Sequence, residues 1–600
     1  MSKKIKLSDY IARFLAEKKV KHTFVVTGGC IVHTIDSISK RDDIDYIPVC
    51  HEQAGAMAAD SYARLSENIG VALATSGPGA TNLLTGVLCS YYDSIPTMII
   101  TGQVPSSQLK KDSNSRQIGF QETDVLSIYK SATKYCVMID KPEMIRYELE
   151  KAYHIATSGR KGPVLIDICD DVQYAEIIPE KLQSFNKENN IKYHRKDNSF
   201  EILKSRIKDI DKLINESLRP VIILGAGVRL SGCINESIQF AETLSIPIIP
   251  TWGALDFLPH NHPLFVGCFG VSSGRAGNFA VQNSDLIICL GTRLDTHETG
   301  PNLSTFGRAA KKIMVDIDRS EIEKFKKGEL NIDIGVVSDI KDFLVSFKSF
   351  SKVEKDKSTL IDWKKSITEW KEKYPLTLPE YYNMKSKVNP YVFMKELSDI
   401  LGEDDIILTD CGGNLIWTMQ GMVLKEKQRL ISAFNHSPMG YSLPASIGAA
   451  FATGKRIYCI TGDGGLQMNI QEFGTLVKNN LDVVIILLNN HGHGIIRNTQ
   501  ETWLGGAYNA STPDSGLPDP NYIKIAEAYG IRTLNINSHD EINKLYKLVD
   551  SKGPIFCNVE LIQNQKMVPK LKFGKPIEDS EPLLERKEFK KNMIIKTINE

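Results

Sequence analysis

Short apolar runs that end in tight turns, each followed by a helical segment, recur along the chain. The clearest runs span 22–27, 71–75, 220–224, 406–410 and 456–461, and the turns that follow contain Gly28, Gly77, Gly225, Gly412 and Gly462. Continuous apolar runs of this length are typical of strands buried on both faces of a parallel sheet, and glycine allows a sharp turn into the next helix. The pattern therefore predicts an α/β fold.

Two polar segments divide the chain. Residues 181–200 are rich in lysine and asparagine and predict a linker, while 347–387 form a lysine-rich connector whose charges mark a solvated face. We therefore expect an N-terminal domain at 1–180, a central domain at 200–345 and a third domain at 388–565, followed by a charged tail at 566–600. A length of 600 residues suits three or four domains of ordinary size.

Composition narrows the classes of function. The formal net charge of +1 gives no electrostatic reason to expect a nucleic acid or a membrane surface as partner, so we expect a small-molecule substrate. Eleven cysteines are scattered without a C-x-x-C pair, which indicates buried thiols in a reducing compartment. The amphipathic start of the chain lacks a secretory apolar core, and no apolar stretch reaches the length of a membrane span. We predict a cytoplasmic protein.

A glycine loop near the C-terminal third combines the chemistry needed to hold a metal and a phosphate. One apolar run ends in Gly462-Asp463-Gly464-Gly465 at the start of a helix, and the next apolar run ends in Asn489-Asn490. A carboxylate and a carboxamide offer the oxygen ligands that Mg²⁺ prefers, while glycine backbone and helix N-terminal N–H groups suit a diphosphate. By itself such a loop also fits an ordinary strand-to-helix turn.

The loop and its Asn-Asn partner resemble the thiamine-diphosphate fingerprint of the decarboxylase and acetolactate synthase superfamily. Upstream, the segments TSGPGATN at 75–82 and DSIP to TGQVP at 93–105 closely resemble the pyrimidine-binding domain of acetolactate synthases, over most of residues 5–175. The resemblance implies three doubly wound parallel-sheet domains, called pyrimidine-binding, central and diphosphate-binding. It also implies thiamine diphosphate and Mg²⁺ as cofactors, and a homodimer or homotetramer whose active site lies at a subunit interface.

The same resemblance implies roles for individual residues. Glu52 is the activating carboxylate that hydrogen-bonds the aminopyrimidine ring, while Phe120 and Gln121 face the reacting carbon. Met439 is the apolar wedge that bends the cofactor, and the Ser437 carbonyl accepts from its amine. The other cofactor-binding residues implied are Gly28, Ser76, Asn82, Gly412, Gly413, Asn414, Gly462, Asp463, Gly464, Gly465, Asn490, Gly492, His493, Gly494 and Ile495.

The metal ligands follow from the motif in the same way. Asp463 and Asn490 supply side chains and Gly492 a backbone carbonyl, with diphosphate oxygens and water completing an octahedron around Mg²⁺. His493, or alternatively His436, is the candidate proton donor.

Whether the chain binds FAD as a third cofactor stays open. Acetolactate synthases that contain FAD bind it in the central domain through a G-A-G turn and a G-A-R-F-D-D-R segment, and the second segment stands in this chain as GTRLDTH at 291–297. Arg293 and Asp295 match that segment, while Thr296 and His297 replace its second acid and its closing arginine. The candidate FAD-binding residues are Gly225, Ala226, Gly227, Gly291, Arg293, Asp295 and Asp316.

The expected activity is decarboxylation of pyruvate or a related 2-oxo acid, with transfer of the two-carbon unit to a second carbonyl. Relatives that prefer 2-ketobutyrate as acceptor carry tryptophan at the position of Thr499, so the pocket of this chain is expected to be wider. The acceptor is therefore either a second pyruvate or a larger carbonyl compound, for example a nucleotide-linked keto-sugar. His297, and Gly413-Asn414 in place of Gln-His, also favour the larger compound. Simple decarboxylation is a third outcome, and a non-catalytic subunit is disfavoured because the residues above are intact.

Overall fold

A computed structural model describes residues 4–111, 113–186, 200–325, 329–384, 386–549 and 551–598. Three sheets follow one another along the chain, and every strand pair within them is parallel. Helices cover the faces of each sheet and bury its interior strands, whereas edge strands such as Asp45–Pro48 and Arg532–Ile536 keep exposed residues. The predicted fold, three α/β domains with parallel sheets, is confirmed.

The order of the strands in space differs from their order along the chain. From one edge to the other, the N-terminal sheet contains Asp45–Pro48, His22–Val25, Gly70–Ala74, Thr97–Gln103, Val164–Cys169 and Tyr135–Ile139. The central sheet contains Ile248–Pro250, Pro220–Leu224, Leu286–Leu290, Lys311–Asp316 and Ile334–Val337. The C-terminal sheet contains Arg429–Ile431, Ile406–Thr409, Ile457–Gly462, Val483–Asn489, Ile555–Glu560 and Arg532–Ile536. A short antiparallel pair, Ile5–Lys6 with Glu176–Ile177, ties the two ends of the N-terminal domain together.

The longer helices alternate with these strands. In the N-terminal domain they are Leu7–Glu17, Val32–Ser39, Glu52–Ser66, Leu84–Asp93 and Ile145–Thr157. In the central domain and the connector they are Phe200–Glu216, Ile234–Leu244, Arg275–Asn283, Ile340–Phe350 and Ile361–Lys373. In the C-terminal domain they are Pro390–Ile400, Gly413–Gly421, Ser442–Thr453, Asp463–Asn469, Gly494–Leu504 and Tyr522–Ala528, and Arg586–Asn592 lies in the tail.

The segments between and after the domains fall into three cases. Most of the predicted linker, at 187–199, lies outside the described residues. The connector helix Ile361–Lys373 exposes its charges but buries Trp363 and Trp370 in the core of the central domain. The tail docks on that domain too, where the buried carboxylate of Glu578 accepts from Gln282 at 2.5 Å and from Arg308 at 2.7 Å.

One helix pair joins the N-terminal and C-terminal domains. The helix Glu52–Ser66 packs along Ser442–Thr453, and both contain many alanines and glycines at the contact. At Gly448 a Cβ atom would overlap the carbonyl group of Ala58, so only glycine fits there. The Ser61 hydroxyl donates to the Ala445 carbonyl at 2.5 Å. This contact fixes the position of the helix that begins at Glu52.

Within the part of the chain that the structure describes, no helix has the length and apolar character needed to cross a membrane. All eleven cysteines are unpaired, and seven of them are buried, as the sequence predicts.

Candidate active site

The predicted metal ligands lie at the carboxyl ends of two neighbouring strands. Ile457–Gly462 pairs in parallel with Val483–Asn489, so Asp463 and Asn490 emerge at the same edge of the C-terminal sheet. The buried Asp463 carboxylate accepts from the backbone N–H groups of Gly464 and Gly492, both at 2.7 Å. Burial raises the pKa of Asp463, and these two donors oppose the shift. These two hydrogen bonds hold the Asp463 carboxylate in place beside the loop that follows Asn490.

The Asn490 carboxamide fits a cation in one of its two orientations. With its nitrogen toward the Gly492 carbonyl, it donates at 2.7 Å and its oxygen accepts from Arg497 at 2.8 Å. With its oxygen there instead, two acceptor oxygens lie 2.7 Å apart, a spacing that a cation bound by both would make favourable. Together with Asp463 this is an oxygen donor set of the kind that Mg²⁺ takes.

Glycine at position 464 lets two other predicted residues approach the loop. A Cβ atom at Gly464 would lie 2.5 Å from the His493 ring and 3.0 Å from the Met439 methyl group. Both side chains therefore pack directly over the glycine backbone, where a larger residue would displace them. The structure thus brings Gly464, Met439 and His493 together. His491, by contrast, is held in ion pairs with Asp519 at 2.8 Å and Glu560 at 2.9 Å, which raise its pKa.

Asp410 is a residue of this site that the sequence analysis did not single out. Its side chain is fully buried and accepts from four groups: Cys411 N at 2.7 Å, Gly440 N at 2.9 Å, Tyr441 N at 3.3 Å and Thr461 Oγ1 at 3.2 Å. Burial raises its pKa to about 6, against these donors. One carboxylate therefore ties three predicted cofactor loops together; its place at the end of a buried strand was the available signal.

The loop around Gly412 uses its predicted residues partly for its own architecture. Gly412 has a φ of +112°, which side-chain-bearing residues rarely adopt, and it begins the helix Gly413–Gly421. The Asn414 amide nitrogen donates to the Asp410 carbonyl at 3.0 Å, and its oxygen faces Gly412 and Gly462. Asn414 therefore links this loop to the metal loop.

The N-terminal domain gathers a second set of predicted residues. Glu52 begins its helix and accepts from Asn82 Nδ2 at 2.9 Å, and its other carboxylate oxygen lies near Gly79. Gly28 packs against Thr75, where a Cβ atom would come within 2.6 Å of the side chain. The Ser76 hydroxyl donates to the Cys30 sulfur at 3.4 Å. These residues converge at the carboxyl ends of the strands His22–Val25 and Gly70–Ala74.

Phe120 and Gln121 belong to the loop above this set. Gln121 has a φ of +66° and its backbone packs against Gly77, whereas the Phe120 ring is 84% exposed. Across the described residues, no hydrogen bond or ion pair joins Glu52, Phe120 or Gln121 to Asp463, Asn490 or His493. We call the residues around Glu52 and the residues around Asp463 the two half-sites. Beside Glu52, Gln53 Nε2 donates to Asn469 at 3.5 Å and Cys50 N donates to Glu472 at 3.0 Å, both in the segment that follows Asp463.

The central domain opens a cavity of about 1540 Å³ that all seven candidate FAD residues line. It lies at the carboxyl ends of the central strands, the usual ligand position in such sheets, and it extends to Gly412, Ser437 and Ile495. Three of the seven side chains have structural partners, and one of them is the Asp316 carboxylate, which accepts from the backbone N–H group of Asp318 at 2.8 Å. Asp295 caps the helix Thr296–Thr299, and Arg293 lies 3.5 Å from the Glu321 carboxylate. Burial raises the pKa of Asp316 to about 6.

The residues that depart from the family motif line the same cavity. The His297 ring packs on Trp252 with 4.1 Å between ring centroids, and burial lowers its pKa. The neighbouring Glu298 accepts from the Thr292 hydroxyl at 2.8 Å, and burial of its carboxyl raises the pKa to about 8. His297 thus places an aromatic ring on this wall at the position where the family motif has an arginine.

Comparisons with known proteins agree with this architecture. Three thiamine pyrophosphate enzyme profiles match: the N-terminal TPP binding domain at 5–128, the central domain at 207–347 and the C-terminal TPP binding domain at 410–559. The chain is 33% identical to the acetolactate synthase large subunit of Cyanidium caldarium, with 94% of each chain covered. It is 35% identical to a probable acetolactate synthase large subunit of Methanocaldococcus jannaschii, with 92% of each covered. It is also 32% identical to the acetolactate synthase isozyme 1 large subunit of Escherichia coli, with 94% of this chain and 95% of that one covered.

The profiles and the relatives match segments of the chain that contain both half-sites and most of the residues that line the central cavity. The chain belongs to the thiamine pyrophosphate enzyme family, among the relatives of acetolactate synthase large subunits, and is a thiamine-diphosphate-dependent enzyme.

Proposed function

We propose that the chain is an acetolactate-synthase-like carboligase that decarboxylates pyruvate, or a related 2-oxo acid, and transfers the two-carbon unit to a second carbonyl. The observation that carries the proposal is the oxygen donor set of Asp463, Asn490 and Gly492, with Met439 and His493 packed over the adjacent glycine. The named relatives, all acetolactate synthase large subunits, support the carboligase assignment.

Each group of residues has a task. Asp463, Asn490 and the Gly492 carbonyl would hold Mg²⁺, and the loops at Gly412 and Gly462 would hold the diphosphate. Bound thiamine diphosphate supplies an electron sink for loss of CO₂. Glu52 would hydrogen-bond the aminopyrimidine through the carboxylate oxygen that does not accept from Asn82. Met439 supplies an apolar surface over Gly464, and His493 supplies an imidazole ring beside it.

The active unit is a homodimer or a homotetramer with the site at a subunit interface. Glu52 and Asp463 lie in separate half-sites of one chain, and exposed apolar side chains flank both halves: Phe120 on one, and Met468 and Ile496 on the other. A second copy can bring the halves together while covering these side chains.

A mixing experiment tests this arrangement. Glu52→Gln and Asp463→Asn are each expected to be inactive, but co-expressed chains form mixed dimers in which one site keeps both native residues. Recovery of roughly a quarter of wild-type activity in the random mixture is expected, because half of the dimers are mixed and each carries one intact site. If the mixture stays inactive while mixed dimers are seen by native mass spectrometry, the shared site is wrong.

We also infer FAD as the ligand of the central cavity, and a cytoplasmic location. The cavity at the strand ends and the seven residues that line it support FAD, and the unpaired cysteines support a reducing compartment. Flavin absorbance of the purified protein tests the first inference. Absence of bound flavin, together with no gain in thermal stability on adding FAD, would contradict it.

A product assay tests the reaction itself. Purified protein is incubated with pyruvate, Mg²⁺ and thiamine diphosphate, and CO₂, acetolactate and acetaldehyde are measured. We expect CO₂ and acetolactate, and we expect Glu52→Gln to lose both. Absence of CO₂ would exclude pyruvate as donor, and acetaldehyde as sole product would indicate a simple decarboxylase.

A larger acceptor is the second candidate. Thr499 lies one helical turn after Ile495, which lines the cavity, and its hydroxyl donates back to the Ile495 carbonyl at 3.1 Å. The side chain is therefore short and turned onto its own helix, which favours a wide pocket. CO₂ without acetolactate or acetaldehyde would point to an acceptor missing from the assay, and Thr499→Trp is then expected to favour small acceptors.

A further inference from the structure

One carboxylate outside both half-sites touches the segment that carries Ser437 and Met439. Asp93 ends the helix Leu84–Asp93 of the N-terminal domain, and it is only 8% exposed. It accepts from the backbone N–H groups of Phe434 and Asn435, both at 3.1 Å, and from the Asn435 amide nitrogen at 2.7 Å. A carboxylate is disfavoured at a helix C-terminus, so these donors account for its presence there.

The same carboxylate is bound to the helix that begins at Glu52. Arg64, in the last turn of that helix, donates to Asp93 at 2.7 Å and to Asp60 at 2.7 Å. Asp60 in turn accepts from the Tyr441 hydroxyl at 2.5 Å. A buried network therefore runs from the Glu52 helix to both ends of residues 434–441.

Residues 436–439 lie between two carboxylate anchors. Asp93 holds Phe434 and Asn435 on one side, and Asp410 holds Gly440 and Tyr441 on the other. Next to Asp93, the Tyr92 ring stacks on His436 with 5.6 Å between centroids and 19° between planes. Between the anchors Ser437 adopts a φ of +49°, which a non-glycine residue keeps only when its surroundings impose it.

We propose that Asp93 is a positioning residue, which fixes the conformation of residues 434–439 and thereby presents the Ser437 carbonyl and the Met439 side chain to thiamine diphosphate. The proposal rests on the function proposed above for Ser437 and Met439. Without the Asp93 charge, the Ser437 conformation relaxes and binding has to restore it, which weakens the affinity for the cofactor.

Asp256 provides a matched control. Its carboxylate is also buried, pairs with Arg229 at 2.9 Å and Arg429 at 3.2 Å, and accepts from Leu430 N at 3.0 Å. It differs from Asp93 in holding the strand Arg429–Ile431 and not residues 434–439. A general loss of domain packing would therefore affect both variants alike.

The test is the dissociation constant of thiamine diphosphate, measured by titration with Mg²⁺ and without substrate, together with the midpoint of urea unfolding. Asp93→Asn is expected to raise the dissociation constant about tenfold, while Asp256→Asn lowers the urea midpoint and changes the dissociation constant less than about threefold. An unchanged constant in Asp93→Asn, or equal losses in both variants, would overturn the proposal.

A second variant keeps the test decisive if Asp93→Asn does not fold. Asn435→Ala removes one donor at an exposed position and leaves the Arg64 pair intact, so the chain is expected to fold and the constant to rise about threefold. No change in cofactor affinity in this variant would equally count against the proposal. Because substrate is absent, a failure of pyruvate turnover in the wild-type enzyme would be recognised separately.

Discussion

Replacing Gly448 with alanine is expected to disturb the active site through the contact between two domains. A Cβ atom at this position would lie 2.7 Å from the Ala58 carbonyl carbon, and closer still to its oxygen. Carbon atoms in ordinary contact are about 3.5 Å apart, so the helix Glu52–Ser66 must move away by roughly 0.8 Å or more. Its neighbour in that contact is backbone, which cannot rotate aside as a side chain can.

The magnitude follows from two opposing effects. Overpacking of this kind costs about 1–3 kcal/mol, and alanine recovers about 1 kcal/mol of helix propensity, so the free energy of unfolding falls by about 2 kcal/mol at most. The effect on catalysis is larger, because misplacing a catalytic group by about 1 Å can cost on the order of a hundredfold in rate. We expect the kcat/KM of CO₂ release to fall between about tenfold and a hundredfold.

The assay compares steady-state CO₂ release with the midpoint of urea unfolding for Gly448→Ala and a control. Gly474→Ala is a suitable control, because its Cβ atom would meet its nearest neighbour at 3.6 Å, an ordinary contact. The control is expected to keep wild-type kcat/KM. Wild-type activity in Gly448→Ala would refute the reasoning that this contact sets the position of Glu52.

Three further outcomes are expected. Burial raises the pKa of Asp167 to about 7. Between pH of about 4 and about 7 the folded state therefore holds a proton that the unfolded state has released. The free energy of unfolding should fall as the pH rises through this range, by up to about 1.4 kcal/mol per pH unit. Asp167→Asn should flatten that dependence in urea titrations, and an unchanged slope would exclude this assignment. Asp463→Asn should raise the Mg²⁺ concentration needed for cofactor binding at least about tenfold. Chelation of Mg²⁺ should release the cofactor from the wild-type enzyme. Cofactor binding that does not depend on Mg²⁺ would contradict the proposed metal site. Met439→Ala should lower kcat by about tenfold or more, with a smaller change in the affinity for the cofactor. A large loss of affinity with little change in kcat would instead assign Met439 to cofactor binding alone.

The predicted fold depended on local signals. Each apolar run is followed directly in sequence by its glycine turn and its helix. A local hydrophobic pattern is therefore enough to predict that the run forms a buried strand. Asp463 and Asn490 were predicted to lie together for the same reason, since one crossover between parallel strands brings their ends to a single edge. The sequence analysis identified residues 566–600 only as a charged tail. Its docking was not predicted, because Ile577 and Phe589 pack against the central domain only once that domain has folded.

The sequence by itself determined the class of fold, the cofactor motif and the residue types that face it. Only the tertiary structure decided which polar residues hold that motif in place. Asp93 begins the DSIP motif and Asp410 ends a buried strand, but their roles depend on backbone N–H groups that other loops bring to them. Asp295, predicted as a ligand contact, caps a helix turn. The physical reason is that a buried carboxylate is satisfied by whichever donors the packing of distant segments supplies, and that packing leaves no local pattern in the chain.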